Sequence, residues 1–289
     1  MDVFFNQAFA GVSIASILLL VALGLAIIYG AMGVINLAHG EFVMLGAYAA
    51  WFLQSYLGLG LLLGLPLVFL FVALLGLGIE RGLVRWLYHR PLDTILATWG
   101  VGMVLQQLVR MVVGSDSRYV ERPGILDGNL QIAGVYMSNY RLFLLVFSVA
   151  VLAGTWYLMT RTEFGTKLRA VIQNREISER YGIRAERVYA VTFAYGAGLA
   201  GIAGALVTPL VSVTPGMGTN LVVDAFLVVI VGGVGSLLGT AVASGLVGEA
   251  TALFSFLLND TIGRVAVLMA IIVLIRFWPQ GLFADRVRR

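Results

Sequence analysis

Nine apolar runs of near-spanning length account for most of the chain, at residues 9–32, 42–58, 60–79, 94–114, 141–160, 188–213, 220–236, 237–257 and 261–277. A helix needs about 20 residues to cross a bilayer, so eight or nine crossings are expected. The expected fold is all-α, a polytopic membrane protein with residues 1–289 as a single transmembrane domain. The stretch 220–257 is ambiguous, because GGVGSLLGT at 232–240 interrupts the helical pattern. It reads equally as a tight turn between two helices or as the apex of a broken segment buried in protein.

Composition agrees with that pattern. Hydrophobic residues make up 60% of the chain and charged residues 12%, against roughly 25% charged in soluble domains. The 35 glycines suit helices that must approach closely in lipid, where no hydrophobic drive favours their association. Zero cysteines removes disulfides, thiolate nucleophiles and Cys-ligated metals. No Lys or Arg precedes the first apolar run, so it lacks a signal-peptide n-region and is expected to be retained.

The net charge of +4 comes from loops and is a topology signal, with no bearing on nucleic acid. Residues 80–93 hold Arg81, Arg85 and Arg90, residues 161–187 hold seven basic side chains, and the tail holds Arg276, Arg286, Arg288 and Arg289. These are fourteen of the nineteen Lys and Arg, and the positive-inside rule places them in the cytoplasm. The balanced stretch 115–140, with Asp116, Arg118, Glu121, Arg122, Asp127, Pro123 and Gly124, is then external. Parity puts the N-terminus outside and favours nine crossings over eight.

The longest polar segment, GTKLRAVIQNREISERYGI at 165–183, predicts two short helical pieces. Asn174 is placed to cap the second, Glu176 faces its positive end, and Gly182 supplies the left-handed stop. Leu168, Val171, Ile172, Ile177 and Tyr181 recur at roughly helical spacing, so the segment is amphipathic and suited to docking. The plainer reading is a solvated basic loop; the caps and the Gly-bounded pattern favour docking.

Polar groups at membrane depth are costly and mark functional sites. In GVINLAHGEFVMLGA, residues 33–47, Asn36, His39 and Gly40 share a helical face with Glu41 adjacent, expected at the inner end of the second span. The competing structural role is helix capping, with pairing to Glu41. Asp224, Glu249, Gln106, Gln107 and Arg110 either line a polar path or snorkel to an interface. In YGAGLAGIAGA, residues 195–205, Gly198, Gly201 and Gly204 predict close helix packing. Enzymatic signatures are lacking: there is no GxSxG or HExxH, His39 and His89 have no ligand spacing, and no GxxxxGK[ST] loop exists to hold ATP.

Five stretches, in order, carry a resemblance: GVINLAHGEFVMLGAY, RTEFGTKLRAVIQNREISERYGI, AVTFAYGAGLAGIAGAL, DAFLVVIVGGVGSLLGT and WPQGLFA. Nearly the whole chain resembles the permease subunits of branched-chain amino acid type ABC importers. LDTILATWGVGMVLQQLVR at 92–110 and the QNRE of the polar loop are more similar to the urea-type subgroup. The resemblance implies a permease domain in a bacterial cytoplasmic (inner) membrane, a second permease of similar fold, two cytoplasmic ATPases and an external solute-binding protein. It implies no cofactor on this chain, with ATP used by the partners, and a coupling helix at 161–187 around Gly165, Arg169, Asn174, Arg175, Glu176 and Gly182. Asn36, His39, Glu41, Thr98, Gln106, Gln107 and Asp224 are the residues expected along the path or its gate.

The spans carry mainly neutral polar residues, including Thr94, Thr98, Gln106, Gln107, Asn36 and Thr192, with few charges to counter a zwitterion. That pattern and the subgroup resemblance lead to urea or a short amide as the expected solute, with amino acids as the alternative. A passive channel with Gly-rich backbone at its pore and a secondary transporter with buried coupling acids are the remaining classes. A passive channel has no need for a capped docking element, and the secondary transporter has only Asp224 and Glu249 as support and no inverted repeat.

Overall fold

The computed structural model describes residues 2–88, 90–132 and 135–283. His89, Arg286, Arg288 and Arg289, which enter the sequence argument, lie outside the described residues. Eleven α-helices lie among those described. They are α1 (Asp2–Met32), α2 (His39–Leu57), α3 (Leu61–Gly82), α4 (Pro91–Val113), α5 (Asn139–Arg161), α6 (Glu163–Gln173), α7 (Arg175–Arg180), α8 (Ala185–Val207), α9 (Met217–Gly232), α10 (Leu237–Leu257) and α11 (Asp260–Phe277). Two 3-10 turns, Val84–Leu87 and Gly124–Leu126, complete the helical structure.

Every apolar run falls on a helix, and α6 and α7 are the two short polar pieces. Six helices, α1, α3, α4, α5, α8 and α10, are long and apolar enough to cross a membrane unaided. α9, at 16 residues, spans only about 24 Å. Two boundaries differ from expectation. The run 188–213 stops being helical at Val207, and residues 208–216 are irregular because Pro209 and Pro215 lack N–H groups and push the preceding residues out of the α region. The loop at 115–140 carries an antiparallel hairpin of β1 (Asn129–Ile132) and β2 (Val135–Ser138), with Asn129 opposite Ser138. In GGVGS the chain makes a tight turn between α9 and α10: Gly233 and Gly235 hold φ of 96° and 82°, a region that favours glycine. Ser236 then caps α10 by accepting from the Gly239 N–H at 3.0 Å.

α1 and α8 form the centre, each buried over 78% of its most apolar stretch, whereas α4 and α5 are buried over only 17%. The glycines of α8 divide between neighbours instead of serving one. A Cβ at Gly196 would strike the Gly24 carbonyl on α1, one at Gly204 the Val43 carbonyl on α2, and one at Gly198 the Phe69 ring on α3. Gly201 meets Val72 of α3 and is itself met by Gly46 of α2. Small residues on three faces thus let three helices close on one.

The two ends of the bundle differ. At one end, the Val84–Leu87 turn, α6, α7 and the start of α8 pack together, with the Tyr88 and Tyr189 rings 5.3 Å apart. Residues 278–283 join that end: Leu282 and Phe283 donate N–H groups to the Val231 and Gly232 carbonyls at 2.8 and 3.1 Å. At the other end, Arg118 and Val213 exchange backbone hydrogen bonds of 2.9 and 2.8 Å, and Gln54 bonds both the N–H and the carbonyl of Glu121. Among the described residues, the basic stretches at 80–88 and 161–187 and Arg276 therefore share one end, in keeping with the positive-inside rule.

Candidate functional site

α1 ends at Gly33, whose φ of 65° turns the chain back while its N–H closes the last turn on the Tyr29 carbonyl at 2.8 Å. The chain then follows an irregular linker that turns at Leu37 and Ala38 before α2 begins at His39, level with the middle of α1. Asn36 is in this linker, wholly buried, and its Oδ1 accepts from the Ala38 N–H at 3.1 Å. The Leu37 N–H donates to Thr98 Oγ1 of α4 at 3.1 Å.

The expected shared face of Asn36, His39 and Gly40 does not exist, because Asn36 is outside the helix. His39 does not pair with Glu41 either. Two residues apart on a helix point roughly 200° away from each other, and the buried His39 ring turns to α1, with Nε2 3.0 Å from the Val21 carbonyl. Gly40 instead packs its backbone against Gly218 at the start of α9, where a side chain on either would clash with the other's carbonyl.

Glu41 faces α4. Its Oε1 accepts from Gln106 Nε2 at 2.7 Å, and the same amide donates to Thr219 Oγ1 on α9 at 3.1 Å. Arg110, one turn further along α4, reaches Gln106 Oε1 at a long 3.5 Å. Thr94, Thr98, Gly102 and Gln106 recur every four residues, so one stripe of α4 meets the linker and α2. Glu41 is 5% exposed, and its Oε2 has no hydrogen-bond partner among the described residues. Neither α2 nor α9 has a side-chain cap at its start, so the positive ends of two helices converge beside this carboxylate.

The other expected path residues are not gathered here. Gln107 is exposed on the neighbouring face of α4. Asp224 belongs to α9 and is half-buried, away from Glu41. The Glu249 carboxylate lies against Gly11 of α1. Thr219 escaped the sequence reading; the signal that would have found it is the Pro215-Gly216 pair, which marks a helix start inside an apolar run.

At the basic end, Thr162 caps α6 through the Gly165 N–H at 3.3 Å, and Asn174 caps α7 through the Ile177 N–H at 2.9 Å. Gly165 has no room for a Cβ against the Met159 carbonyl, to which Arg169 also donates. Arg175 pairs with Glu179 at 3.0 Å and Glu176 with Arg180 at 2.6 Å. Gly182 holds φ at 83° and closes the helix with its N–H on the Glu179 carbonyl at 3.0 Å. Leu168 and Val171 are buried against Ala31, Val188 and Tyr189. Ile172, Ile177 and Tyr181 are exposed, Tyr181 at 84%, beside a groove of about 570 Å³ floored by Ala170, Asn174 and Ser178.

A bundle of membrane-crossing helices with a bonded carboxylate between two interior helix starts, and with capped polar helices at one end, defines the membrane domain of a transport protein. The chain belongs to the family described as "Branched-chain amino acid transport system / permease component", which matches residues 7–276. It is 29% identical to the high-affinity branched-chain amino acid transport system permease protein BraD of Pseudomonas aeruginosa, over 96% of this chain and 95% of the relative. It is 28% identical to the corresponding protein LivH of Escherichia coli, over 96% and 95%. The probable branched-chain amino acid transport permease protein LivH of Methanocaldococcus jannaschii is 27% identical, over 86% and 80%. No solved structure matches the chain. These names give no support to the urea-type subgroup.

Proposed function

We propose that this chain is the membrane permease subunit of an ABC-type importer for branched-chain or related amino acids in a bacterial inner membrane. The observation that carries the solute class is the Glu41–Gln106–Arg110 chain. It sets a carboxylate with one unbonded oxygen and a guanidinium on either side of one amide. A zwitterion needs both signs: Glu41 Oε2 accepts from its ammonium, while Arg110 and the converging starts of α2 and α9 attract its carboxylate. Urea, neutral and hydrogen-bonding, has no use for that separation. The amino acid reading, supported also by the names of the relatives, therefore replaces urea.

Gln106 covers Glu41 from the stripe of α4 that faces α2, so its hydrogen bond is a latch that opens when the solute passes. His39, bonded to α1, and Asn36, folded on its own linker, hold the start of α2 in place beside the path. A second permease of similar fold closes the exposed face of α4, where Gln107 lies, and the neighbouring part of α9 that carries the half-buried Asp224. Two cytoplasmic ATPases, using the ATP that this chain does not bind, dock at α6–α7 through Arg175, Glu176 and the exposed Ile177 and Tyr181. Gly165, Arg169, Asn174 and Gly182 give that element its shape. An extracytoplasmic binding protein delivers the solute.

The test is uptake of labelled leucine against labelled urea by the complex assembled with its own binding protein. Leucine uptake dependent on ATP is expected. Urea uptake without leucine uptake would return the site to the neutral-solute reading.

A further inference from the structure

At the basic end of the bundle, the crevice between α3 and α8 opens into a cavity of about 310 Å³. Its walls are Glu80, Arg81, Arg85, Glu186, Arg187 and Ala190. Glu80, in the last turn of α3, is only 1% exposed. One of its carboxylate oxygens accepts from the Tyr88 hydroxyl. Burial, and then that hydrogen bond, push the hydroxyl well above the usual tyrosine range, so Tyr88 remains a donor. The other oxygen, Oε2, is buried with no partner among the described residues. A buried carboxylate oxygen is costly to leave unbonded.

The surrounding charges are not all accounted for. Arg85 and Glu186 pair with each other. Arg81 and Arg187 form no salt bridge among the described residues. One cavity therefore offers two uncommitted guanidinium groups and one uncommitted carboxylate oxygen.

The cavity lies where the apolar surface ends. Leu74 precedes Arg81 by two turns on α3, and Val191 follows Arg187 by one turn on α8, so each arginine ends a strip of exposed apolar side chain. Trp86 is 73% exposed beside them, with the Arg85 guanidinium 5.4 Å from its ring. An exposed tryptophan between hydrocarbon-facing residues and arginines marks headgroup depth.

We infer that this cavity is a phospholipid headgroup site that selects an ethanolamine-type headgroup. The ammonium donates to Glu80 Oε2, the phosphate lies between Arg81 and Arg187, and the acyl chains follow Leu74 and Val191. Basic pockets at the cytoplasmic side of membrane helices commonly take lipid phosphates; the buried carboxylate adds the demand for an amine. A choline headgroup has the same charges but no N–H to donate. A glycerol headgroup keeps the phosphate but brings no cation to Glu80.

The experiment uses the full chain, purified from membranes in detergent with whatever subunits accompany it and then stripped of lipid. Dioleoyl phosphatidylethanolamine, phosphatidylcholine and phosphatidylglycerol are added in turn, and bound lipid is counted by native mass spectrometry. Retention of the ethanolamine lipid about tenfold over the choline lipid is expected, the factor a charge-assisted hydrogen bond supplies. Glu80→Gln keeps an acceptor for Tyr88 and should bring that ratio close to one. Arg81→Ala with Arg187→Ala should lower retention of all three lipids. Equal retention of the ethanolamine and choline lipids by the unaltered chain overturns the inference, as does a preference for phosphatidylglycerol or an unchanged ratio in Glu80→Gln. Displacement of the lipid by equimolar glycerophosphoethanolamine would assign the site to a soluble phosphate ester and overturn the lipid assignment. The comparison on the unaltered chain decides the matter even if a variant fails to fold.

Discussion

Replacing Glu41 by Gln separates what this residue does for transport from what it does for the fold. The Gln106-to-Glu41 hydrogen bond, at 2.7 Å, is charge-assisted, a class worth about 1.5–3 kcal/mol. A glutamine keeps an acceptor in the same place, so the bond survives in its neutral form at about 0.5–1.5 kcal/mol. Against that loss stands Oε2, buried and unpartnered; the glutamine leaves an unpartnered amide N–H2 there, so only the extra cost of the charge, about 1 kcal/mol, is relieved. The two terms nearly cancel, and stability is expected to move by no more than about 1 kcal/mol in either direction. Uptake should respond quite differently. If Oε2 holds the solute ammonium, losing one desolvated charge-assisted contact lowers leucine uptake about ten- to a hundredfold. The assay is initial-rate uptake in proteoliposomes of the assembled complex, with the unfolding midpoint followed by tryptophan fluorescence on the same preparation. Unimpaired uptake would refute the assignment. So would loss of uptake accompanied by a matching fall in the unfolding midpoint, which would make Glu41 a structural residue.

The chain has no cysteine, so single cysteines report sidedness directly. At Ile125, 88% exposed, an introduced cysteine is expected to react with an impermeant maleimide in intact cells, and one at Tyr181 only after permeabilisation; the reverse pattern would invert the topology. Replacing Gly182 by Val puts a β-branched residue at φ of 83°, which strains the end of α7 by about 1 kcal/mol or more. Uptake and solute-stimulated ATP hydrolysis should fall together while membrane insertion persists. Unchanged stimulation in a well-inserted protein would leave α6–α7 as an ordinary basic surface.

The helices were legible because each carries its own signal: an apolar run of spanning length, or the Asn174 cap and Gly182 stop that frame α7. The site was only partly legible. His39 and Glu41 are neighbours in sequence, yet two residues on a helix diverge by most of a half-turn, so proximity along the chain misled where periodicity would not. That Gln106 bonds both Glu41 and Thr219 depends on contacts between residues 65 and 113 apart in sequence, and no local pattern encodes those. The urea expectation finds no support among the relatives, and it rested on a count of charges in the spans. A count does not tell that Glu41 and Arg110 both reach one amide, which only the packing of α2 on α4 brings about.

α4 touches the bundle through very little: Thr94, Thr98, Gly102 and Val109 are its buried residues. On its inner half it is tied to the linker between α1 and α2 by Thr98, which accepts from the Leu37 N–H, and that makes Thr98 a fulcrum. On one side, Pro91 is about 10 Å away; on the other, Gln106 is about 12 Å away, at 1.5 Å per residue. The short arm is fastened to the basic end, because the Thr94 hydroxyl holds the Leu87 carbonyl at 2.8 Å and Tyr88 rests on Tyr189. With arms of about 10 and 12 Å, displacement of the polar end would reappear at Gln106 slightly enlarged. A tilt of about 5° moves its side chain by about 1 Å. That would stretch a 2.7 Å hydrogen bond beyond the reach of any hydrogen bond, and Glu41 would be uncovered by a rigid swing of one helix without disturbing the glycine-packed centre.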